Sequence, residues 1–511
     1  MMRLVVRVEH TCLDGSPFPV VFAHADDVRS RWVIDREHAP TAMTPLAEAV
    51  RRSGRLGEVR AFADCGVTPP SMLERARPVA NGYAYHPEVD LAPAERERSS
   101  AELVALSRRH DSTLGVWRDH CLPRIEVACI WLCDAPPGTP FATLAEQREY
   151  AWGLTSVAGL AARIDEQAVV ASCGPAFGDR ATEVARELAQ GSQNETTAAD
   201  LAIGRMARMV PGSVELAAVR AEFLATFGSR AVSWSIDHPT VAEQPGLLDA
   251  QVAMLRRHGL GDLGAILRSA ATRRRDLAAQ VEATLADQTE RASFRRRLDR
   301  LAAFVPVREA RARWQLVASG ALRGTVLERG RRLVDQGVLD EVEDVFYLTP
   351  DEFDTPSNDL RPAVFTRRAE HRHWLTMTPP AAIGATADAG AARVRGDAGP
   401  THERMLHGRP GAPGVTAGPA RVILELDDVD RLEPGDILVT TMTSPAWTPL
   451  FALAAAVVTD AGDGLSHVAI AAREYGIACV AGTDLATVLI SDGDWLGVDG
   501  GAGTVRIVRR A

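Results

Sequence analysis

The sequence predicts a multidomain protein in which a long, mostly α-helical region precedes a small α/β domain. Apolar residues recur every three to four positions from about Ala94 to Gln251, and again from Arg268 to Gln336, as they do on one face of a helix. Near the C-terminus the apolar, strand-like segment Leu453 to Val458 leads into a glycine-rich turn and a new helical pattern. These two observations define the predicted fold class.

The first residues of the chain show the alternation of β-strands. Leu4 to Val8 and Val20 to Phe22 are rich in apolar residues, and the turn residues Asp14 to Pro17 lie between them. We therefore expect two short strands before the helical region begins.

Composition excludes several classes of protein. The 511 residues leave room for two to four domains and a large core. A net charge of -10 without a basic stripe argues against nucleic acid as a partner. No apolar run approaches the length of a membrane span and the N-terminus lacks a signal-peptide core, so we expect a cytoplasmic protein without a membrane partner. Seven scattered cysteines without a C-x-x-C pair are expected to be free thiols.

Every basic residue in the chain is arginine, and no lysine occurs. This excludes a Schiff-base lysine and the lysine of a P-loop. His371 and His373 are two positions apart, so they do not share a helix face and we expect no metal site there.

The glycine-rich turn holds the principal candidate for catalysis, His467. Ser466 is expected at the N-cap of the following helix, which places His467 in its first turn. Gly462 and Gly464 shape the preceding loop, whose backbone N–H groups, together with the positive end of the helix dipole, favour an anion. We therefore predict an anion-binding loop beside a catalytic histidine, with Asp463 inside the loop.

The last hundred residues resemble the phosphohistidine swivelling domain of phosphoenolpyruvate-utilising enzymes. The matching segments, in family order and spacing, are Gly414–Ala420, Pro434–Val439, Thr443–Leu450, the loop around His467, Gly482–Thr487 and Asp492–Gly500. The resemblance implies that His467 accepts a phosphoryl group and passes it on, with Ser466 beside it. We also include Thr443 among the candidate substrate contacts.

Two positions depart from the family pattern. Asp463 stands where the family usually has a second glycine, and Ala478 stands where it tends to have proline. A carboxylate beside a phosphohistidine repels the phosphoryl group unless it is paired or points away. Alternatively, Asp463 orients the imidazole ring.

Trp32 to Pro40 reads W-x-x-D-x-x-H-x-P, and Thr44 to Leu46 and Asn81 to Tyr85 follow it. This resembles the opening of the substrate-binding portion of rifampin-phosphotransferase-like and phenylphosphate-synthase-like proteins. The resemblance implies that Trp32, Asp35 and His38 line the rim of a substrate pocket. The alternative is a capped turn fixed by a buried Trp32.

Phe227 to Pro239 resembles a further segment of these enzymes, which places Arg230 and Asp237 among the candidate substrate-binding residues. Ser233, Trp234 and Ser235 stand around the position where the family favours glutamate. Loss of that glutamate would accompany a changed substrate or reaction.

The arginine-rich helices and the segment Glu343 to Phe353 also match these enzymes. Four candidate substrate-binding residues lie on them: Arg308, Glu309, Arg313 and Arg323. An arginine that faces the pocket can clamp a phosphate or carboxylate with two hydrogen bonds. The alternative is that these arginines are solvated or paired with neighbouring carboxylates.

Residues 376–411 are rich in proline, glycine, alanine and threonine, which is typical of a flexible tether. We therefore predict a substrate-binding domain at 1–375, a linker at 376–411 and the swivelling domain at 412–511.

No segment resembles an ATP-grasp module, and the phosphoenolpyruvate-binding barrel of some relatives is not found, so we expect no cofactor bound by this chain. The leading hypothesis is a phosphotransferase component: a separate ATP-grasp protein with ATP and Mg²⁺ phosphorylates His467, which then phosphorylates a small organic acceptor, as in secondary metabolism. The alternative is a phosphate-independent cyclase, dehydratase or isomerase of natural-product biosynthesis that uses His467 as general acid/base. A third hypothesis is a non-catalytic carrier subunit.

Overall fold

The computed structural model describes residues 6–12, 15–22, 27–71, 79–87, 92–189, 194–260, 262–384, 404–464 and 466–511. Strands β1 (Val6–Thr11) and β2 (Pro17–Phe22) form an antiparallel pair, which confirms the two strands expected at the start. Asp14, which was predicted to lie in their turn, is outside the described residues. A second sheet, in the order β4-β5-β3-β6, follows. Its strands are β3 (Trp32–Ile34), β4 (Val79–Ala80), β5 (Tyr83–Pro87) and β6 (Ala382–Ile383).

The central part of the chain is helical, as predicted. Its α-helices are α1 (Pro45–Ser53), α2 (Arg55–Asp64), α3 (Pro93–Arg109), α4 (Thr113–Gly115), α5 (Leu122–Cys133), α6 (Phe141–Phe177), α7 (Ala181–Leu188), α8 (Glu195–Arg208), α9 (Val214–Phe227), α10 (Pro245–Arg257), α11 (Leu263–Thr284), α12 (Gln288–Asp335), α13 (Pro350–Asp354) and α14 (Arg361–Leu375). A π-helical segment, Val116–Cys121, joins α4 to α5. Short 3-10 helices cover Asp27–Arg29, Gly178–Arg180, Val241–Glu243 and Val342–Tyr347.

The two longest helices, α6 and α12, pack against each other and form the frame on which the site is built. Helix α12 begins after Asp287, whose side chain accepts a hydrogen bond from the Glu290 amide and so satisfies one of the free N–H groups of the first turn. The apolar stripe predicted from the sequence is buried between the helices at Leu301 and Leu316. The polar face of α12 can therefore carry arginines and carboxylates toward the rest of the protein.

The C-terminal part is a small α/β domain, which confirms the predicted fold class. Eight strands form a sheet in the order β7-β14-β13-β9-β10-β11-β12-β8, and its four middle strands β9, β10, β11 and β12 are parallel. The strands are β7 (Arg404–His407), β8 (Arg409–Ala412), β9 (Val415–Val422), β10 (Ile437–Thr440), β11 (Ala456–Thr459), β12 (Ala478–Ala481), β13 (Trp495–Asp499) and β14 (Thr504–Arg509). Helices α15 (His467–Tyr475) and α16 (Ala486–Leu489) and the 3-10 helices Leu426–Arg431 and Pro445–Ala452 complete it.

The predicted linker at 376–411 is only partly consistent with these elements. Strand β6 pairs with β3 of the second sheet, and β7 and β8 pair with β14 and β12 of the C-terminal sheet. Both ends of the predicted tether therefore contain strands whose backbone groups pair with a neighbouring strand of a sheet. Residues 385–403 lie outside the described residues, and the domain boundaries stay a prediction.

The C-terminal domain is docked on the helical domain through a shared apolar core. Phe223 and Leu248 of the helical domain belong to the same buried cluster as Leu450 and Phe451. Two hydrogen bonds cross the same junction: Ser444 Oγ donates to the Val232 carbonyl at 2.8 Å, and Gln251 Nε2 donates to the Ala446 carbonyl at 2.6 Å. This docking fixes the position of the C-terminal loop over α6 and α12.

Chain-wide features agree with the composition. In the part of the chain that the structure describes, no helix is both long and apolar enough to cross a membrane. The seven cysteines are free thiols, as expected, and Cys133 is the exposed one. Among the same described residues, no group of three or more His, Cys, Asp and Glu side chains is arranged to hold a metal ion.

Candidate active site

The loop between β11 and α15 lies at the carboxyl end of a parallel strand, where α/β sheets commonly place ligand sites. Gly462 has a φ of 105°, and a Cβ at this position would lie 2.8 Å from Ser466 Oγ, so the turn requires glycine. Ser466 occupies the N-cap position as predicted, but its hydroxyl donates to the Asp463 carbonyl at 2.7 Å and makes no cap bond. Leu465 is outside the described residues.

His467 is the first residue of α15, and its ring is held by a carboxylate from the other domain. Its Nδ1 atom lies 3.1 Å from Oε2 of Glu309 on α12. Because an ionised carboxylate only accepts hydrogen bonds, Nδ1 carries the proton. Nε2 is buried and has no hydrogen-bond partner among the described residues. A neutral His467 therefore presents the lone pair of Nε2 as a nucleophile or base.

Glu309 is ionised although it is buried. Burial raises the pKa of its carboxyl group, but the charge that His467 carries when protonated, the His467 and Thr196 hydrogen bonds and the charge of Arg308 together hold that pKa below its ordinary value. Thr196 Oγ1 donates to Glu309 Oε2 at 2.6 Å. The carboxylate therefore orients the His467 ring and would stabilise its protonated form.

A cavity of about 160 Å³, the histidine cavity, opens beside His467. Other side chains that line it include Glu37, His38, Trp234, Arg308, Thr443 and Ser466. Thr443 is buried, and its Oγ1 has no hydrogen-bond partner among the described residues. The cavity therefore brings together a nucleophilic nitrogen, a hydroxyl group, a carboxyl group and a guanidinium.

A second cavity of about 380 Å³, the arginine cavity, adjoins the first. Glu37, His38, Arg308, Arg311, Gln315 and Ser466 line both cavities. The arginine cavity is also lined by Trp152, Gly159, Arg163, Phe304 and Asp463. Asp463 thus lies at this second cavity and not among the residues that line the histidine cavity.

Asp35 and His38 lie together as the sequence predicted. Asp35 Oδ1 is 3.0 Å from His38 Nδ1, and Asp35 Oδ2 is 3.5 Å from Arg51. Burial lowers the pKa of His38, but the Asp35 carboxylate outweighs this and raises it; burial raises the pKa of Asp35, but His38 and Arg51 hold it well below its usual range. The His38 ring meets Trp152 and Trp234 edge-on at 5.1 and 5.6 Å. His38 lines the cavities, whereas Asp35 positions it.

Glu37, Arg311 and Gln315 were missed by the sequence analysis. Burial raises the pKa of Glu37, and the neighbouring Asp35 and Asp463 carboxylates add to the effect. Nothing in the matched motif distinguished Glu37, which stands at an unspecified position between the aspartate and the histidine. Arg311 could have been found, because it follows Arg308 by three residues and so shares its helix face.

Two predicted substrate contacts are structural residues. Trp32 is fully buried in the core beneath the second sheet, where its Nε1 donates to the Asp27 carbonyl at 2.8 Å. Asp237 accepts a hydrogen bond from the Thr44 amide at 2.9 Å. Neither residue lines the two cavities, so the buried-Trp32 alternative is the one that the structure matches.

Three predicted arginines also lie outside both cavities. The Arg230 guanidinium stacks on Phe227 at 4.8 Å within the buried interior. Arg313 pairs with Glu195 at 3.0 Å. Arg323 is buried, pairs with Glu243 at 3.1 Å and also contacts Glu343. Arg313 and Arg323 therefore neutralise carboxylates of neighbouring elements. Of the four candidates on α12, only Arg308 and Glu309 reach the site.

The remaining loop residue, Gly464, lets two arginines approach the backbone. A Cβ at this position would lie 2.3 Å from Nη1 of Arg186, and Arg473 Nη2 donates to the Gly464 carbonyl at 3.0 Å. The loop is therefore held by guanidinium groups from both domains.

Comparisons with known proteins find relatives of this chain. Residues 432–503 match the family of the PEP-utilising enzyme, mobile domain. A chondramide synthase, cmdD, of Chondromyces crocatus is 28% identical over 96% of this chain and 14% of its own length. A rifampicin phosphotransferase of a Streptomyces species is 36% identical over 58% of this chain and 35% of its own length. The rifampicin phosphotransferase of Bacillus subtilis is 37% identical over 36% of this chain and 21% of its own length.

The chain thus spans about a third or less of the length of these curated relatives. The matched residues 432–503 include the complete loop that carries His467, together with α15 and β10 to β13. The C-terminal part of the chain therefore matches the mobile domain of the PEP-utilising enzymes, in a protein that is similar to rifampicin phosphotransferases.

Proposed function

We propose that this protein is a phosphotransferase component in which His467 carries a phosphoryl group on Nε2 and transfers it to a small organic acceptor. The family match and the relatives support an enzyme of the PEP-utilising family. The single observation that carries the finer proposal is the state of the His467 ring. Its Nδ1 is bound by Glu309, while Nε2 is left without a partner among the described residues at the wall of a cavity.

The transfer takes place in two steps. In the first, a separate ATP-grasp protein that holds ATP and Mg²⁺ donates the phosphoryl group, so that a P–O bond breaks and the P–N bond to Nε2 forms. In the second, the acceptor hydroxyl attacks phosphorus, the P–N bond breaks and its electron pair returns to Nε2. Glu37 lines both cavities and takes the hydroxyl proton, and Arg308 faces the transferring group.

Between the steps the C-terminal domain has to leave its docked position. The shared apolar core and the two hydrogen bonds of Ser444 and Gln251 hold the acceptor-side position. Covalent attachment keeps the carrier at a high local concentration when it returns. No cofactor bound by this chain is needed in this scheme, and no nucleic acid or membrane takes part.

The scheme also includes a metabolic role and a cellular location for the protein. The similarity to a chondramide synthase supports a role in secondary metabolism. A cytoplasmic location is proposed because the donor reaction needs ATP.

The test is to incubate the protein with a purified stand-alone ATP-grasp protein and phosphoryl-labelled ATP. We expect acid-labile label on the wild-type chain and none on His467→Ala. Glu309→Gln is the matched control, because it leaves Nε2 in place and should still be labelled. Label that persists in His467→Ala would rule out the proposal.

A phosphate-independent reaction is the second candidate. The pairing of His467 with Glu309 is also the arrangement of a general acid/base, since the carboxylate fixes the tautomer and stabilises the imidazolium. Turnover of a substrate without nucleotide and without a partner protein would favour this cyclase, dehydratase or isomerase. A carrier subunit without catalysis is a third candidate: it would be labelled on His467 but would transfer nothing in the presence of any acceptor.

A further inference from the structure

We propose that the arginine cavity is the binding site for the carboxylate of an aromatic acceptor, whose hydroxyl group reaches into the histidine cavity. This inference rests on the proposed function, because it names the substrate class of the same site. It is carried by the arrangement of Arg311 and Arg163 and by the aromatic side chains beside them.

Arg311 is held rigidly in the wall between α6 and α12. Its Nε donates to the Thr155 carbonyl of α6. Its guanidinium lies directly over Gly159, where a Cβ would be 2.2 Å from Cζ and 2.3 Å from each terminal nitrogen. A glycine in the middle of a helix leaves room for this contact. A guanidinium that is already immobilised loses little entropy when it binds an anion.

Arg163, Arg308 and Arg311 place three positive charges at this wall. Arg308 pairs with Glu166 at 3.5 Å, and the same carboxylate is 3.8 Å from Arg186. Arg311 makes no ion pair with any residue that the structure describes. Burial, together with the charges of Arg308 and Arg163, lowers the pKa of Arg311 to about 10. A bound anion would relieve this repulsion.

Three carboxylates line the arginine cavity, and one of them lies on its helical wall. Glu37 and Asp463 belong to the two loops that also line the histidine cavity, whereas Glu166 belongs to α6 and pairs with Arg308 at 3.5 Å. Arg163 and Arg311 belong to the same wall, on α6 and α12. An acceptor with its carboxylate at these two arginines and its hydroxyl group toward the loops matches this arrangement.

The other residues that line the arginine cavity indicate which part of the ligand lies between its carboxylate and its hydroxyl group. Trp152, Phe304 and Leu160 line the arginine cavity, and His38 stands edge-on to Trp152. Flat aromatic side chains around a cavity of about 380 Å³ favour an aromatic ligand.

The anion in question belongs to the acceptor and differs from the transferred phosphoryl group. A phosphoryl group on His467 Nε2 projects into the histidine cavity, which Arg308 lines and Arg163 does not. Arg163 and Gly159 line only the arginine cavity. Arg308 and Arg311 line both cavities, so Arg163 is the arginine that distinguishes the place of the retained anion from that of the transferred one.

The experiment compares binding of 4-hydroxybenzoate with binding of its neutral analogue 4-hydroxybenzamide to the full chain, followed by tryptophan fluorescence and by calorimetry. We expect the acid to bind about tenfold or more tighter than the amide, as a charge-assisted contact to arginine predicts. Arg311→Gln and the exposed Arg163→Gln should each remove most of this preference. Arg313→Gln, which alters an arginine outside the cavities, should leave it unchanged.

Gly159→Ala is a second variant that keeps every charge but displaces the Arg311 guanidinium, and it should lose the preference as well. His467→Ala should still prefer the acid, so that a failure of phosphoryl transfer is distinguishable from a failure of this inference. Inorganic phosphate is the third probe. The proposal would be overturned if the acid and the amide bound equally or if neither bound. It would also be overturned if Arg311→Gln abolished phosphate binding but kept the preference for the acid.

Discussion

Nδ1 of His467 lies 3.1 Å from Oε2 of Glu309, and the two residues belong to different domains. The contact joins the C-terminal domain to the helical domain in the docked arrangement. In the proposed scheme His467 has its fixed tautomer only in that arrangement, in which the pKa of Glu309 is held below its ordinary value. Glu309 can therefore influence the reactions of His467 in the docked arrangement but not in an undocked one.

Glu309→Gln should slow transfer from phosphorylated His467 to the acceptor by about 10²-fold or more, because the ring loses the charge that orients it and stabilises its protonated form. Phosphorylation of His467 by the donor protein should be unchanged. Single-turnover transfer from pre-labelled protein measures the first effect, and the rate of labelling measures the second. Equal transfer rates in wild type and variant would show that the contact has no catalytic part.

Glu37→Gln should change the pH profile of transfer. Burial raises the pKa of Glu37, so as a base it becomes active only above the usual carboxylate range, and the rate should rise with pH through that raised pKa. The variant should lose this rising limb and retain a low, flat rate. The exposed Glu222→Gln is the matched control, and its profile should equal that of the wild type. An unchanged profile in Glu37→Gln would assign the base elsewhere.

The fold and the loop could be predicted because they depend on local patterns. The strand, glycine turn and helix around His467 are encoded within about twenty consecutive residues, and the 3.6-residue periodicity of α12 is visible directly. The lining of the cavities could not be predicted in the same way. Whether an arginine on α12 meets Glu195, as Arg313 does, or faces a cavity, as Arg311 does, depends on which elements pack around it.

Docking of the mobile domain should weaken as pH rises. The Tyr475 hydroxyl on α15 donates to Asp200 Oδ2 of α8 at 3.0 Å, and burial raises the pKa of Asp200 to about 8 against the opposing effects of Tyr475 and Arg230. Undocking of α15 would expose Asp200 to water and return its pKa toward the ordinary value, so we expect the docked state to bind the proton more tightly. The contribution of this proton to the free energy of docking is fully present below the ordinary pKa of aspartate. It is lost as the pH rises toward about 8, by at most about 1.4 kcal/mol per pH unit.

Limited proteolysis or a distance label across the junction measures this docking equilibrium as a function of pH. Asp200→Asn cannot ionise, so its docking should be independent of pH in this window and tighter than that of the wild type at pH 8. Tyr475→Phe keeps the titrating carboxyl group but removes a hydrogen bond that favours its ionised form, so the pH dependence should persist. A wild-type protein whose docking is the same at both ends of the window would contradict the assignment.

Gly462→Ala should slow phosphoryl transfer more than the strain of its backbone alone would. Gly462 has a φ of 105°, and the added Cβ would lie 2.8 Å from Ser466 Oγ, next to His467. Gly435→Ala is the matched control, because Gly435 has a φ of 93° but no atom within 4 Å of an added Cβ. Both variants should lose about 1–2 kcal/mol of stability in thermal unfolding from the left-handed backbone. Because only Gly462→Ala displaces Ser466 and the start of α15, only that variant should also slow phosphoryl transfer, and an equal loss of transfer in both would show that the loop tolerates the contact.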